Sequence, residues 1–532
     1  MTAIKMNQFV KGAFLLTFIG ILSKVLSAFY RIPIQNVTGD IGFYTYQQIY
    51  PFIATIMILS LYSFPSAVSK IGAQIGEENR TLKQFVLPNF IILLLINGLL
   101  FLIVYTMAPF IAILSGNMAL QRAYETIAFA FLMVPFLSIS RGYFQSQGEM
   151  KQTAYSQLIE QMVRVAIIIV SCFLIYTYHL DVFKIGIYGS IASIVSMLIA
   201  IFVFVIFFFK QRKVLAFSTH FYLTPWKFYM KTMLVFGLVF ALNHMLFIFI
   251  QLADVLSLIP MLIKYGLVAE TAMISKGVFD RAIPLIQLGV VIGSSFAVAI
   301  IPMMSGRHTN KEKSETIQQA LSLCVYISAG ATAGLVVLFP EINLLLFKSI
   351  DETLSLRIFS LATILLAFMM TVNPILQTVG KHWQTIIYIV MAFMMKISFN
   401  FLFVPKLGLV GASLATIITV GLLVVVQFLQ LKKLFPDQVL LLNLKWKAFS
   451  LSLIIMVIYL FIWKWFVPFS MMSRAWLLVY VLFLVISGAI IYFLILLRNK
   501  AFTEKQIKAL PFSNILFTFA YKNGEAGGTK GV

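Results

Sequence analysis

Long apolar runs follow one another along almost the whole of this sequence. At 1.5 Å rise per residue, a helix of about 20 apolar residues spans the hydrocarbon core of a bilayer. We predict about fourteen such spans, at residues 9–30, 42–66, 84–109, 122–145, 154–178, 184–209, 229–253, 277–304, 315–340, 355–379, 384–404, 408–431, 447–468 and 473–497. With 61% hydrophobic and only 11% charged residues, the chain is predicted to be an all-α polytopic membrane protein.

The net charge of +22 at pH 7 does not predict nucleic-acid binding. The lysines and arginines are scattered through the loops between apolar runs, as the positive-inside rule describes. The basic stretch KQRK at 210–213 lies between two predicted spans, whereas the next loop carries only Lys264. This asymmetry predicts a multi-pass protein of the plasma membrane with both termini in the cytoplasm.

Two stretches of the chain repeat one pattern. The motif Q-x2-G-x3-Q occurs at 145–152 and again at 377–384, and KIGIYGSIAS at 184–193 is echoed by KLGLVGASLAT at 406–416. Copies that lie six spans apart keep the same orientation, so we predict two six-helix lobes in a parallel repeat around a central cleft. The predicted domains are the lobes 1–215 and 216–435, two appended helices within 436–500, and a basic cytoplasmic tail at 501–532.

Charged side chains inside the predicted spans are candidates for function, because each costs about 2.5–3.5 kcal/mol at the bilayer centre. Lys24 and Arg31 share one helix face and are predicted to line a polar cavity, although Arg31 could instead snorkel to the outer interface. Glu160 and Arg164 are four residues apart, so they are predicted to pair, and Arg164 is also a cavity candidate.

The eighth span opens with Asp280 and Arg281. Lys276 could pair with Asp280 at one helical turn while Arg281 snorkels to the outer interface. Alternatively, Arg281 is predicted to line a polar cavity and to hold an anionic substrate there.

Two later spans add further candidates. Lys396 and Asn400 share a face of the eleventh span and are predicted to line the same cavity. Asp254, at the predicted end of the seventh span, could bind a coupling cation or could simply begin the outside loop.

The unpaired cations outnumber the anions in these spans, which suits a phosphate or diphosphate ligand. No phosphate loop, catalytic carboxylate pair or nucleophile motif is present, so an enzyme is not predicted. The two cysteines and the scattered histidines predict no metal site. No cofactor is expected, and transport would be coupled to the membrane potential, Na+ or H+.

Four stretches carry a resemblance to a known group of transporters: residues 22–52, 64–74, 279–305 and 408–416. On these residues the chain resembles the multidrug/oligosaccharidyl-lipid/polysaccharide exporter superfamily. Within it, the chain is similar to the polysaccharide-biosynthesis branch, which includes stage V sporulation protein B-like proteins and lipid II flippases.

The resemblance implies a flippase that moves a polyprenyl-diphosphate-linked saccharide to the outer leaflet by alternating access. It assigns Lys24 and Arg281 to the central cavity, with Arg31 similar to a second arginine of the first helix. The family's second-helix arginine has no match, since the span 42–66 contains no basic residue. Implied partners are the lipid-linked saccharide, membrane lipids and cell-wall synthesis proteins of a Gram-positive bacterium. A cation-coupled multidrug antiporter of the same superfamily is the alternative.

Overall fold

The computed structural model describes residues 15, 19–20, 22–75, 81–210, 225–298, 310–435, 444–469 and 472–509. Within these residues every regular element is helical. The α-helices are α1 (residues 22–29), α2 Arg31–Ile58, α3 Phe64–Ile75, α4 Leu87–Leu114, α5 Gln121–Ala128, α6 Val134–Ser146, α7 Met150–Thr177, α8 Lys184–Lys210, α9 Trp226–Lys231, α10 Val239–His244, α11 Leu246–Tyr265, α12 Ala269–Asp280, α13 Ala282–Val298, α14 Asn310–Phe347, α15 Thr353–Ser360, α16 Ala362–Thr378, α17 His382–Leu434, α18 Trp446–Phe466, α19 Arg474–Arg498 and α20 Glu504–Ala509.

Shorter helical turns of other types join several of these helices. π-Helical turns lie at Leu59–Ser63, Leu82–Val86 and Thr232–Leu238, and 3-10 turns lie at Met118–Leu120 and Phe129–Met133.

Twelve helices of the described residues are long and apolar enough to cross a membrane. Two of them, Leu22–Ile75 and Trp383–Leu434, run for 54 and 52 residues, and each covers two predicted spans. The helical backbone is interrupted at Gly39 (φ 69°) in the first and at Gly408 (φ 56°) in the second. The prediction of an all-α multi-pass membrane protein is confirmed. The first part of the span predicted at 9–30 lies outside the described residues.

The seventh span differs from its prediction at 229–253. Helix α10 ends at His244, the backbone leaves helical geometry at Met245 (φ −96°, ψ 1°), and α11 then continues to Tyr265. Asp254 therefore lies in the middle of a helix, buried, and does not begin a loop. The predicted end was wrong because Asp254 is paired inside the protein, which removes the cost that an isolated carboxylate would carry there.

The repeated motif has the same local structure in both copies. Gly148 (φ 80°) and Gly380 (φ 81°) each follow the C-terminus of a helix with left-handed backbone. In the first copy the Glu149 amide donates to the Phe144 carbonyl at 3.0 Å, and in the second Lys381 donates to Leu376 at 2.9 Å. Both are Schellman caps, in which glycine adopts a conformation that other residues avoid. The sequence repeat is thus also a conformational repeat.

The contacts divide the chain into two compact units. Unit 1 comprises Met1–Asp280 with Ile386–Gly408, and unit 2 comprises Arg281–Thr385 with Leu409–Val532. In unit 1, α7 packs on α8, α3 on α6, and α12 on α2. In unit 2, α13 packs on α14 and α16. The predicted lobe boundary at residue 215 stays a prediction.

The appended helices α18 and α19 belong to unit 2, where they pack on each other and on α14. The Tyr492 hydroxyl donates to the Tyr326 carbonyl at 2.7 Å, and Lys464 lies 2.8 Å from the buried carboxylate of Glu341. Of the predicted tail, α20 packs on α14 through Gln506, whose amide donates to the Gln319 carbonyl at 2.9 Å. Residues 510–532 lie outside the described part.

Candidate functional site

Helix α2 brings several polar side chains into the interior of unit 1. Its segment TYQQIY places Tyr46, Gln47 and Tyr50 among its buried residues. Helix α12 lies close against α2. The approach is so close that a Cβ atom added at Gly277 would come within 2.2 Å of the Asp40 carbonyl oxygen. Only glycine permits an approach of this kind without a shift of the backbone.

Arg31 is buried at the start of α2, with an exposed fraction of 0%. Its guanidinium carbon lies 3.8 Å from the centroid of the Tyr50 ring. The hydroxyls of Tyr30 and Tyr46 share a hydrogen bond of 2.5 Å, and the charge of Arg31 acts on both residues. The guanidinium forms no ion pair with a carboxylate among the described residues, and the Tyr30 side chain is its hydrogen-bonding neighbour. Arg31 is therefore held by aromatic rings and does not snorkel to an interface.

A second part of the site joins α11 to α17. The Lys396 ammonium lies 2.9 Å from Oδ1 of Asp254 and 3.0 Å from Oδ1 of Asn400. The Asn400 amide nitrogen donates to Asp254 Oδ1 and to Ser257 Oγ, both at 2.8 Å. All four side chains are buried in unit 1. The prediction grouped Lys396 with Asn400, and the structure adds Asp254 and Ser257 to them.

Helix α12 supplies the third part. The Lys276 ammonium lies 2.6 Å from Oδ2 of Asp280, so the pair that one helical turn allows is formed. The charges of Asp254 and Arg31 act on Asp280, and those of Lys276 and Asp280 act on Lys396. We call these residues the five-charge cluster: Arg31, Asp254, Lys276, Asp280 and Lys396. It holds three cations and two carboxylates, and so carries one positive charge in excess.

Glu160 and Arg164 also pair as predicted, with Arg164 Nη2 2.5 Å from Glu160 Oε1. Arg141 of α6, which the sequence did not single out, binds the other oxygen of Glu160 at 2.7 Å and donates to the Ser60 carbonyl at 2.9 Å. We call Arg141, Glu160 and Arg164 the Arg141 network. The one feature of the sequence that could have identified Arg141 was the presence of an arginine within the apolar span 122–145.

Lys24 lies on α1 and is exposed. Its charge acts on His244, whose ring stacks on that of Tyr62 with centroids 6.2 Å apart. The neighbouring Ser23 Oγ accepts a hydrogen bond from Gln157 at 3.4 Å. Lys24 thus lies near His244 in unit 1, and its role in transport stays a prediction.

Arg281 belongs to unit 2, where it is buried and its guanidinium carbon lies 5.6 Å from the centroid of the Phe347 ring. Its predicted contact with an anionic substrate stays a prediction. Among the described residues, no group of three or more His, Cys, Asp and Glu side chains could hold a metal ion.

The family match and the named relatives identify the chain as a transporter of the multidrug/oligosaccharidyl-lipid/polysaccharide exporter superfamily. Residues 9–308 match the family described as polysaccharide biosynthesis protein. The chain belongs to this family, and its resemblance to the superfamily is confirmed.

The chain is also similar to three individual proteins. It is 31% identical over 532 residues to the uncharacterized membrane protein YabM of Bacillus subtilis, with 99% of each chain covered. It is 22% identical over 452 residues to the lipid II flippase MurJ of Bacillus subtilis, with 77% of this chain and 80% of that protein covered. A solved structure of a lipid II flippase MurJ in an inward closed conformation matches with a TM-score of 0.66 and 15% identity, covering 91% of this chain and 99% of that chain.

Proposed function

We propose that this protein is a flippase that carries a polyprenyl-diphosphate-linked saccharide, lipid II or a related cell-envelope precursor, from the inner to the outer leaflet by alternating access. The observation that carries the proposal is Arg31, a buried guanidinium that rests on a tyrosine ring. It has tyrosine neighbours but no carboxylate partner among the described residues. The similarity to a lipid II flippase supports the class of cargo.

The chemistry of the cargo matches that of the site. A diphosphate and its sugars cannot cross hydrocarbon unaided, because they would lose the water that hydrates them. A guanidinium can grip phosphate oxygens through paired hydrogen bonds, which aromatic rings cannot offer it. Diphosphate binding would therefore give the Arg31 guanidinium an anionic partner, which its tyrosine neighbours do not provide, while the polyprenyl chain stays in the bilayer.

Several finer features belong to the same proposal. Lys24 and Asn400 would contribute to cargo binding in unit 1 and Arg281 would do so in unit 2. The protein would lie in the plasma membrane of a Gram-positive bacterium with both termini in the cytoplasm. Reorientation would be driven by the membrane potential or by exchange of Na+ or H+. Cell-wall synthesis proteins would act on the cargo after translocation.

The test uses bacterial cells depleted of their own lipid II flippase. Expression of this protein is expected to restore growth and the exposure of lipid II on the outer leaflet. Arg31→Gln is expected to abolish both at an equal amount of protein in the membrane. Arg122→Gln removes the same charge from an exposed position of α5 and is the matched control, expected to behave as wild type.

An Arg31→Gln variant with full flippase activity would contradict the role of Arg31. If neither growth nor lipid II exposure returns with folded wild-type protein, the cargo is a different lipid-linked saccharide or the class is wrong. Dye efflux that depends on a Na+ or proton gradient would then favour the multidrug antiporter.

A further inference from the structure

Two cations of unit 2 share one acceptor near the C-terminal end of α14. The Lys464 ammonium donates to the Val337 carbonyl at 2.8 Å, and Arg357 Nη2 donates to the same oxygen at 3.3 Å. Lys464 also pairs with the buried carboxylate of Glu341 at 2.8 Å. Arg357 forms no ion pair among the described residues, and its Nε is buried without an acceptor there. The two side chains therefore hold one positive charge that no carboxylate of the described residues pairs with.

Exposed tryptophans mark this end of unit 2 as the level of the lipid headgroups. Trp465 and Trp476 follow Lys464 and Arg474 closely in the chain and are 87% and 70% exposed. Tryptophan is enriched at membrane–water interfaces, where its ring meets the headgroups. Helix α18 ends at Phe466 and α19 begins at Arg474, so both helices reach this level. The predicted topology places it in the outer leaflet.

The other charged groups at this end limit what the pair of cations can bind. Arg474 donates to two backbone carbonyls of α14 at 2.9 and 3.2 Å and so caps the last turn of that helix. Asp351 and Glu352 lie on the turn before α15, and neither pairs with Arg357 among the described residues. Their charges would repel a doubly charged anion more strongly than a singly charged one. A phosphodiester with one negative charge therefore fits better than a phosphate monoester.

We propose that Arg357 and Lys464 bind the phosphate of an anionic phospholipid in the outer leaflet. A guanidinium can donate paired hydrogen bonds to phosphate oxygens, whereas its present acceptor is a single carbonyl at 3.3 Å. The acyl chains would lie along α18, where the apolar side chains of Ile458, Phe461 and Ile462 are exposed. The inference concerns a lipid of the surrounding membrane and does not depend on the proposed function.

The experiment titrates detergent-purified protein with phosphatidylglycerol or phosphatidylcholine at equal ionic strength and measures the unfolding temperature. Phosphatidylglycerol is expected to raise this temperature of the wild type saturably, by about 2 °C or more above the effect of phosphatidylcholine. Arg357→Gln is expected to weaken the apparent affinity for phosphatidylglycerol by about tenfold, because a charge-assisted contact to the phosphate is lost. Arg498→Gln removes the same charge from an exposed position at the other end of α19 and is expected to bind as the wild type does.

Each outcome decides the proposal. A wild type that responds equally to the two lipids overturns it, and this comparison needs no variant to fold. Equal weakening in Arg357→Gln and Arg498→Gln also overturns it, because the attraction is then one of overall charge and not of a site. Sodium phosphate that stabilises the wild type as much as phosphatidylglycerol overturns the assignment to a lipid, since the free anion then suffices. A selective loss in Arg357→Gln alone supports the site. No readout uses flippase activity, so failure here is distinguishable from failure of the proposed cargo.

Discussion

Glu160→Gln is predicted to destabilise unit 1 more than any exposed substitution, because Glu160 is the only carboxylate of the Arg141 network. Its two oxygens bind Arg141 Nη2 at 2.7 Å and Arg164 Nη2 at 2.5 Å. All three side chains are at most 6% exposed. A neutral amide at position 160 would leave two buried guanidinium groups without a counter-charge.

The size of the effect follows from the burial of the network. Removing one partner of a buried ion pair costs about 3–5 kcal/mol, since the remaining charge loses both water and its partner. At about 2 °C per kcal/mol, the low end for large domains, the apparent unfolding temperature should fall by about 6–10 °C. Arg141 keeps its bond to the Ser60 carbonyl, so the loss is not expected to exceed this range.

The assay is the fraction of monodisperse protein that survives heating in detergent, measured by size-exclusion chromatography. Glu270→Gln is the matched control, because Glu270 is exposed at the start of α12, and it should shift the midpoint by about 1 °C at most. Adding Arg164→Met to Glu160→Gln removes one of the two stranded cations and should restore part of the loss. A Glu160→Gln midpoint within about 1 °C of wild type would refute the reasoning.

Two further predictions concern packing and the appended helices, and the same heating assay measures both. Gly277→Ala should lower the free energy of unfolding by about 1–3 kcal/mol, because its Cβ would lie 2.2 Å from a backbone oxygen of α2. Gly98→Ala, with nothing within 4 Å of its Cβ, should instead be neutral or stabilising by about 0.5–1 kcal/mol, and the reverse order would contradict this packing. Lys464→Met should cost about 3 kcal/mol by stranding the buried Glu341, whereas Lys447→Met, exposed on the same helix, should cost almost nothing. Equal losses for the two lysine variants would exclude a stabilising role of the Lys464 ion pair.

The sequence predicted the membrane helices well because each one depends on a contiguous apolar stretch. Ion pairs within one helix could also be predicted from the sequence. Lys276 with Asp280 and Glu160 with Arg164 require only that the two residues lie one helical turn apart. The motif repeat at Gly148 and Gly380 was visible in the sequence, whereas the shared turn at these glycines was found only in the structure. Sequence spacing therefore suffices wherever the partners are close along the chain.

Pairs that join different helices could not be predicted from the sequence. Lys396 binds Asp254 and Arg141 binds Glu160 only because particular helices are neighbours, which hydropathy does not specify. The predicted end of the seventh span was wrong for the same reason. Hydropathy alone predicts that Asp254 is exposed, because it does not include the partner of Asp254 on another helix. The tyrosines around Arg31 gave no signal either, since aromatic residues are common in apolar spans.

The Arg141 network and the five-charge cluster of unit 1 carry the same excess charge, but the groups that surround the excess cation differ. Each has one cation more than it has carboxylates. In the Arg141 network the arginines also bind the Ser60 carbonyl and the Gln161 side-chain oxygen, so protein acceptors share the extra charge. In the five-charge cluster the lysines each bind a carboxylate, while Arg31 lies among tyrosines and has no carboxylate partner among the described residues. Because a buried charge without a counter-charge is costly, the second arrangement is the one that an anionic ligand would stabilise. This difference favours Arg31 over Arg164 as the residue that would bind a diphosphate in the proposed function.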